Sequence, residues 1–244
     1  MDIYRKLQSI VKDIHRVVLP LSDKPLNIVI MGKLSDSLLS GSSGRTGRVV
    51  VANVAGTEIL RVRPRKRTQP PTPKQVLIQK RMKDAYDFIL SYKSYASKFF
   101  GVKVGMRSCF NLAMTNILNA IELDFTLFTS IMHYNKVMFS SGPLLGVTPS
   151  GISSVNPGTF KVDWINNAAG NPEREADLLQ IVYIAEDEVK SLFVENAAQR
   201  MDATFEVTVS PALIGKTVHV WMAFKEANNL SASVSVYVGN VVIT

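Results

Sequence analysis

A run of cations is the feature of this sequence with the clearest chemical consequence. Five of the seven residues from Arg61 to Arg67 are Arg or Lys, and Pro70, Pro71 and Pro73 follow them. Such a density of charge cannot be buried without partners, and proline favours an extended backbone. These residues therefore predict an exposed, semi-rigid basic arm that meets an anionic partner. The candidate binding residues of this basic arm, extended to residue 83, are Arg61, Arg63, Arg65, Lys66, Arg67, Lys74, Lys80, Arg81 and Lys83.

Glycines at three-residue spacing invite comparison with a phosphate-binding loop. Gly41, Gly44 and Gly47 are followed by Arg48 and Val49, whereas a P-loop requires Lys and then Ser or Thr after its last glycine. A dinucleotide-binding loop would require a strand before it and a helix after it. We therefore expect these glycines to form a flexible entry to a β-hairpin.

The remaining nucleophilic and metal-ligating residues form no catalytic pattern in the sequence. Cys109 is the only cysteine, which excludes a disulfide within the chain, and its apolar neighbours predict a small buried hydrophobic residue. His15, His133 and His219 lack a metal-binding spacing, and His219 is expected at the surface or rim of a strand. We expect no enzymatic activity, no cofactor and no bound metal.

Charge is distributed unevenly along the chain. The first 100 residues carry a net charge of +12 and the remaining residues carry −4. The acidic group Glu186–Glu188 is predicted to form a solvated hairpin tip. This asymmetry indicates either that the basic half meets an external polyanion, or that oppositely charged parts of neighbouring subunits attract each other.

The N-terminal elements position the basic arm. Residues 1–30 contain apolar residues at helical spacing and predict an amphipathic extension. A hairpin is predicted from strands at 49–54 and 58–63, and alternation places Arg61 and Arg63 on one of its faces. Thr72 followed by Pro73 predicts the start of a helix that continues to about residue 99, and a second helix is predicted over about 107–121.

From about residue 124, short alternating apolar runs separated by turns predict strands. The predicted fold class is α+β: an N-terminal hairpin and helices, then a C-terminal antiparallel β-sandwich that resembles fibronectin type III and immunoglobulin-like modules. We expect three regions, namely an extension at 1–30, a basic hairpin and helical region at 31–123, and a sandwich domain at 124–244. The expected strands lie at 159–164, 178–184, 190–194, 203–209, 217–224 and 233–239.

Several motifs in a fixed order resemble an uncharacterised protein family that is common in Bacteroidota. The motifs are Met31-Gly32-Lys33, the glycines at 41, 44 and 47 with Val49, the basic arm, Pro73-x-Gln75 with Lys80-Arg81, and Ser233-x-Ser235-x-Tyr237-x-Gly239. The resemblance covers about residues 31–242. The sequence departs from the family pattern in its first 30 residues and in having Lys80 where Gln is usual. The family implies no activity.

Three functions remain open at this stage. The first is a non-enzymatic structural or adaptor protein that docks through its basic arm and binds through its β-sandwich, by analogy with virion, prophage and surface-appendage proteins. The second is sequence-tolerant binding of nucleic acid through residues 61–83. The third is a carbohydrate-binding sandwich that would use an exposed Trp164 or Trp221.

The sequence also gives expectations about location and partners. No apolar stretch follows the first residues, so we expect no standard signal peptide, and no segment has the roughly 20 apolar residues of a transmembrane helix. The protein is expected in the cytoplasm or within a virion or similar assembly. A protein partner or self-association is expected.

Overall fold

A computed structural model describes residues 31–35, 39–54, 56–63, 68–105 and 107–244. Contacts divide the chain into two units, with the division after Lys66. The predicted amphipathic extension at 1–30 lies outside the described residues. The predicted division into 1–30, 31–123 and 124–244 stays a prediction.

The first unit is a four-stranded antiparallel sheet. Its strands are β1 (Met31–Leu34), β2 (Gly44–Thr46), β3 (Val49–Val54) and β4 (Thr57–Val62), in the order β1-β4-β3-β2. The hairpin predicted from the valine-rich run is therefore confirmed. Gly41, Gly44 and Gly47 have φ values of 80°, 105° and 57°, which other residues adopt at a cost. Gly41 lies in the turn before β2, Gly44 is the first residue of β2, and Gly47 lies in the turn between β2 and β3.

Three helices begin the second unit: α1 (Pro73–Ile89), α2 (Lys93–Phe99) and α3 (Cys109–Ala120). The Thr72 hydroxyl accepts a hydrogen bond from the Gln75 N–H while the Gln75 side chain accepts one from the Thr72 N–H, so the predicted start of α1 is confirmed. The predicted continuous helix to residue 99 is wrong, because a 3-10 turn at Leu90–Tyr92 separates α1 from α2.

Nine strands and one short helix complete the second unit. They are β5 (Ile121–Asp124), β6 (Thr129–Met132), β7 (Pro149–Ser153), β8 (Thr159–Trp164), α4 (Pro172–Glu175), β9 (Leu178–Ala185), β10 (Leu192–Val194), β11 (Thr204–Thr208), β12 (Thr217–Lys225) and β13 (Val236–Val242). They pair in the orders β10-β9-β12-β13, β11-β8-β7 and β5-β6, all antiparallel.

The larger sheet is covered on both faces. Alternate residues of β12 and β9 point in opposite directions: Val220 and Ile181 pack in one apolar cluster with β8 and β11 of the second sheet. Trp221 and Val182 pack on the other face with side chains of α1, α2 and α3. The result is three layers, namely helices, a four-stranded sheet and a three-stranded sheet. The predicted α+β class with an antiparallel β-sandwich is confirmed.

The structure departs from the predicted strands in three places. The β5–β6 hairpin and β7 both fall where no strand was expected. The last strand begins at Val236 rather than at residue 233. The two preceding serines explain that shift: Ser233 Oγ accepts from the Phe224 N–H at 2.9 Å and Ser235 Oγ accepts from the Phe139 N–H at 2.9 Å. Their side chains therefore add bonds to the N–H groups of neighbouring segments, while their own N–H groups donate to the Phe224 and Ser140 carbonyls.

The buried side chain of Arg200 forms hydrogen bonds to several loops at one end of the sandwich. The Arg200 side chain is 0% exposed, and its Nη2 lies 2.8 Å from Asp177 Oδ2 and 2.9 Å from the Leu145 carbonyl. The guanidinium also donates to Asn167 Oδ1 and lies 3.9 Å from the centroid of the Phe224 ring. Burial raises the pKa of Asp177, and the bonds from Arg200 oppose that rise. Arg200 therefore ties several loops to the core.

His219 lies in an aromatic stack, so its expected place at the surface or rim is wrong. It is 7% exposed, because the Tyr134 ring covers it at a centroid distance of 3.7 Å. His219 Nδ1 lies 2.8 Å from the Tyr237 hydroxyl, while Nε2 is buried without a hydrogen-bond partner among the described residues. Burial lowers the pKa of His219, and the charge of Glu186 opposes this effect.

Replacing Asp177 by Ala should lower the free energy of unfolding by about 3–5 kcal/mol, because Arg200 would keep a buried charge without its partner. Urea denaturation measures the difference. The matched control is Glu188→Ala, which removes a half-exposed ion pair with Lys216 and should cost less than about 1 kcal/mol. Equal losses in the two variants would contradict the anchoring role of Arg200.

The His219 ring should make stability depend on pH. Because the folded-state pKa is lowered, the unfolded chain takes up the proton first as the pH falls. The contribution of His219 to the free energy of unfolding is therefore complete above the unfolded-state pKa of about 6.5. It decreases as the pH falls through that pKa towards the pKa of the folded state. His219→Phe should flatten this decrease between about pH 7.5 and about pH 5.5. His133→Gln is the control, and an unchanged slope in His219→Phe would refute the assignment.

Candidate functional site

The nine residues of the predicted basic arm are divided between the two units. Arg61 and Arg63 belong to the first unit, where both are exposed. Arg65, Lys66 and Arg67 lie outside the described residues. The other four lie on α1 in the second unit.

On α1, the four cations have different surroundings. Lys83 is exposed, and Lys74 Nζ lies 6.0 Å from the centroid of the Phe125 ring. Lys80 lines a cleft, described below. Arg81 is half-buried and its guanidinium donates to the Leu118 carbonyl, so it joins α1 to α3. Arg81 therefore has a packing role, while the other three remain accessible.

The β5–β6 hairpin presents large apolar side chains to solvent. Leu127 is 72% exposed at its tip. Phe125 and Phe128 flank Leu127 in the turn, Ile131 lies on β6, and all three are also exposed. An exposed apolar group of this kind marks an interaction surface more often than a structural one. The apolar residues between Leu123 and Phe128 are the sequence signal for this surface. By sequence alone they indicate only the point where the helical pattern ends.

The turn of this hairpin is held by a side chain and contains a strained residue. Asp124 Oδ1 accepts hydrogen bonds from the N–H groups of Thr126, at 2.7 Å, and Leu127, at 3.1 Å. These bonds hold the pKa of the Asp124 carboxyl below its ordinary value. Phe128 has a φ of 53°, a conformation that disfavours a side chain with Cβ. The turn thus fixes an exposed phenyl ring at a position where glycine would be more stable.

The first helix adds further apolar surface beside the hairpin. α1 packs against both β5 and β6. Its residues Ile78, Met82 and Tyr86, four positions apart, form an exposed stripe. We call this stripe and the side chains of Phe125, Leu127, Phe128 and Ile131 the docking face.

A cleft of about 250 Å³ lies between α1, the hairpin and the β9–β10 turn. Phe88, Ile121 and Met132 supply apolar lining. Lys80 and Asp84 line it from α1, and the acidic tip Glu186–Glu188 lines it from the turn. The predicted hairpin tip at Glu186–Glu188 is confirmed, since the turn joins the antiparallel strands β9 and β10 and is exposed. The cleft therefore brings both signs of charge close to apolar surface.

Neither tryptophan can serve as a platform for a sugar. Trp164 is 2% exposed and its Nε1 donates to the Arg200 carbonyl, while Trp221 is fully buried and donates to the Tyr134 carbonyl. The Trp164 ring packs in the core between the two sheets, and the Trp221 ring packs in the core between the larger sheet and the helices. The expectation of an exposed Trp164 or Trp221 is wrong.

Cys109 is half-buried at the start of α3, where its Sγ lies 3.6 Å from the Gly101 carbonyl and its side chain packs against the helical core. The predicted small buried hydrophobic residue is therefore partly buried, because the first turn of α3 is only partly covered. Within the described ranges, no three His, Cys, Asp or Glu side chains are grouped for a metal ion. Among the same residues, no helix has the length and apolar character needed to cross a bilayer.

Two solved human domains are similar to this chain in structure. The fibronectin type III domain of collagen alpha-1(XX) is 21% identical, with a TM-score of 0.29, and the match covers 43% of this chain and 85% of the domain. The corresponding domain of contactin 1 is 13% identical, with a TM-score of 0.30, and the match covers 43% and 83%.

No curated protein matches the sequence. One family model does match it, described as a family of unknown function, DUF6266. The match covers residues 41–239, which include all of the ordered motifs given above except Met31-Gly32-Lys33. Because the match extends over most of the chain, the protein belongs to the family DUF6266.

Proposed function

We propose that this protein is a non-enzymatic assembly protein that binds a second copy of itself through the docking face. The observation that carries the proposal is the group of exposed apolar side chains on the β5–β6 hairpin. Burying Phe125, Leu127 and Phe128 against a partner would remove apolar area from water, which is the main favourable term in protein association.

The strained backbone of the turn supports a binding role for Phe128. A left-handed conformation costs a residue other than glycine about 1–2 kcal/mol. The exposed ring gains little from its own fold in return. Strain of this kind is commonly found where a side chain must be presented to a partner. The rigid Asp124 turn also reduces the conformational entropy that binding would otherwise cost.

The charges around the cleft favour a second copy as the partner. Lys74, Lys80 and Lys83 lie on α1, and Glu186–Glu188 lie on the opposite side of the cleft from Lys80. In a twofold contact, each surface meets the same surface of the other subunit. A face with cations and carboxylates on either side of apolar surface can therefore satisfy its own charges in such a contact. Whether this assembly belongs to a virion, a prophage or a surface appendage stays a prediction.

Replacing both Leu127 and Phe128 by Ser should weaken self-association by at least about tenfold, because central apolar anchors commonly contribute more than 1 kcal/mol each. Light scattering after size-exclusion chromatography, over a wide concentration range, measures the change. Leu230→Ser is the matched control, since Leu230 is 79% exposed on a different turn. A wild-type protein that stays monomeric throughout the range would overturn the proposal.

Phe128→Gly separates folding from assembly. Glycine adopts a positive φ without strain, so the free energy of unfolding should rise by up to about 1 kcal/mol. Self-association should weaken at the same time, because the phenyl ring is absent from the variant. Urea denaturation and light scattering give the two readouts. If this variant loses stability, the ring belongs to the fold of the hairpin and its assignment to the docking face is wrong.

A further inference from the structure

The strand register of the first unit collects cations on one side of the sheet. Arg45 pairs with Val50 and Val50 pairs with Arg61, so these three side chains share a face. Lys33 pairs with Ile59, which lies two residues from Arg61 and therefore on the same face. Lys33, Arg45 and Arg61 are all exposed. We call these three residues the basic face.

Two more arginines lie at the end of the strands that form this face. The Arg63 N–H donates to the Arg48 carbonyl at 2.8 Å, so the two residues lie side by side just beyond β3 and β4. Alternation along the strand continues the direction of Arg61 to Arg63. Arg48 and Arg63 therefore continue the basic face at the end of β3 and β4.

The cations of this face have no acidic partner in the described part of the unit. Its one described acid is Glu58, which pairs with Leu34 and Asn53 and so lies on the opposite face. Its carboxylate also accepts a hydrogen bond from the Gly41 N–H at 2.8 Å. Among the described residues, no ion pair involves Lys33, Arg45 or Arg61. Their charge is available to an external anion.

The opposite face explains why the sheet presents the cations to solvent. Val51 is buried, and it pairs with Gly44 and Leu60 on the face away from Arg61. A slip of one residue would exchange the two faces and bury the arginines. The burial of Val51 therefore fixes the orientation of the basic face.

We propose that the basic face binds the phosphate backbone of duplex nucleic acid without reading its sequence. Residues 31–63 contain no aromatic side chain, so the described part of this unit has no platform on which unstacked bases could stack. Arg and Lys on neighbouring strands can each contact a phosphate, and guanidinium groups bind phosphate oxygens in pairs. The binding site is separate from the docking face and independent of the self-association proposed above.

The same observations disfavour two other anionic partners. An acidic protein surface would need apolar or aromatic anchors at the centre of its contact, and the apolar residues that pair beside the cations, Val50, Ala52 and Ile59, are small or aliphatic and already half-buried. A membrane surface would add exposed aromatic or large aliphatic groups that enter the lipid. Among its described residues, this side of the sheet offers Val54 alone, at the hairpin end of β3, away from Arg61. Both partners are tested below.

The experiment measures binding of the full chain to a random-sequence DNA duplex by fluorescence anisotropy at several salt concentrations. The test variant carries Lys33→Gln, Arg45→Gln and Arg61→Gln. The matched control carries Lys103→Gln, Arg107→Gln and Lys136→Gln, which removes the same charge from exposed positions in the second unit. The test variant should reduce the log–log salt slope by about 0.9 for each phosphate that the protein no longer neutralises, and the control should leave the slope unchanged.

Competition and folding controls complete the test. Poly-glutamate and vesicles containing phosphatidylserine should displace the duplex poorly, and thermal unfolding should be the same for both variants, since all six side chains are exposed. An equal reduction of slope in the two variants would show that net charge alone drives binding. Preferential binding to poly-glutamate or to vesicles that disappears in the test variant would assign the face to an acidic protein or to a membrane. Each of these results, and the absence of duplex binding at low salt, overturns the proposal.

Discussion

The burial of β12 on both faces is the constraint on which the second unit depends. Val218, Val220 and Met222 fill the space between the two sheets, while Trp221 and Ala223 fill the space beneath the helices. A strand covered on both sides is apolar along most of its length, as β12 is from Val220 to Phe224. Because β12 contributes to both cores, the helices and the sandwich cannot pack independently of it.

This central layer also determines where polar groups can be placed. His219 is a polar residue of β12 on the same face as Trp221. Its ring stacks on Tyr134, and its Nδ1 lies within hydrogen-bond distance of the Tyr237 hydroxyl. Lys225, at the other end of the strand, reaches Glu195 at 3.0 Å. Arg200 closes the sandwich beside Phe224. Polar side chains at the ends of the buried strand thus join the loops to the core, while the hairpin beyond α3 is left free to present Phe125, Leu127 and Phe128.

Much of the fold was predictable from local pattern. Thr72, Pro73 and Gln75 predicted the start of α1 because capping depends on residues within one turn. The alternation of β8 and the long apolar runs of β9 and β12 predicted strands for the same reason. The Leu90–Tyr92 turn was missed because its local composition also suits a helix, and the β5–β6 hairpin was missed because strands of 4 residues show too little alternation to be recognised. The basic arm was predicted as one site, yet its residues divide between two units, and Arg81 is engaged by the Leu118 carbonyl.

The sequence by itself determined the α+β class, the hairpin with its exposed Arg61 and Arg63, the cap of α1 and the acidic tip at Glu186–Glu188. These features depend on neighbours in the chain or on the cost of burying charge. Only the tertiary structure decided that Lys33 and Arg45 join Arg61, that Trp164 and Trp221 are buried, and that the apolar turn at Leu127 stays exposed. Those outcomes depend on strand register and on which faces are covered, and both are set by contacts between residues distant in the sequence.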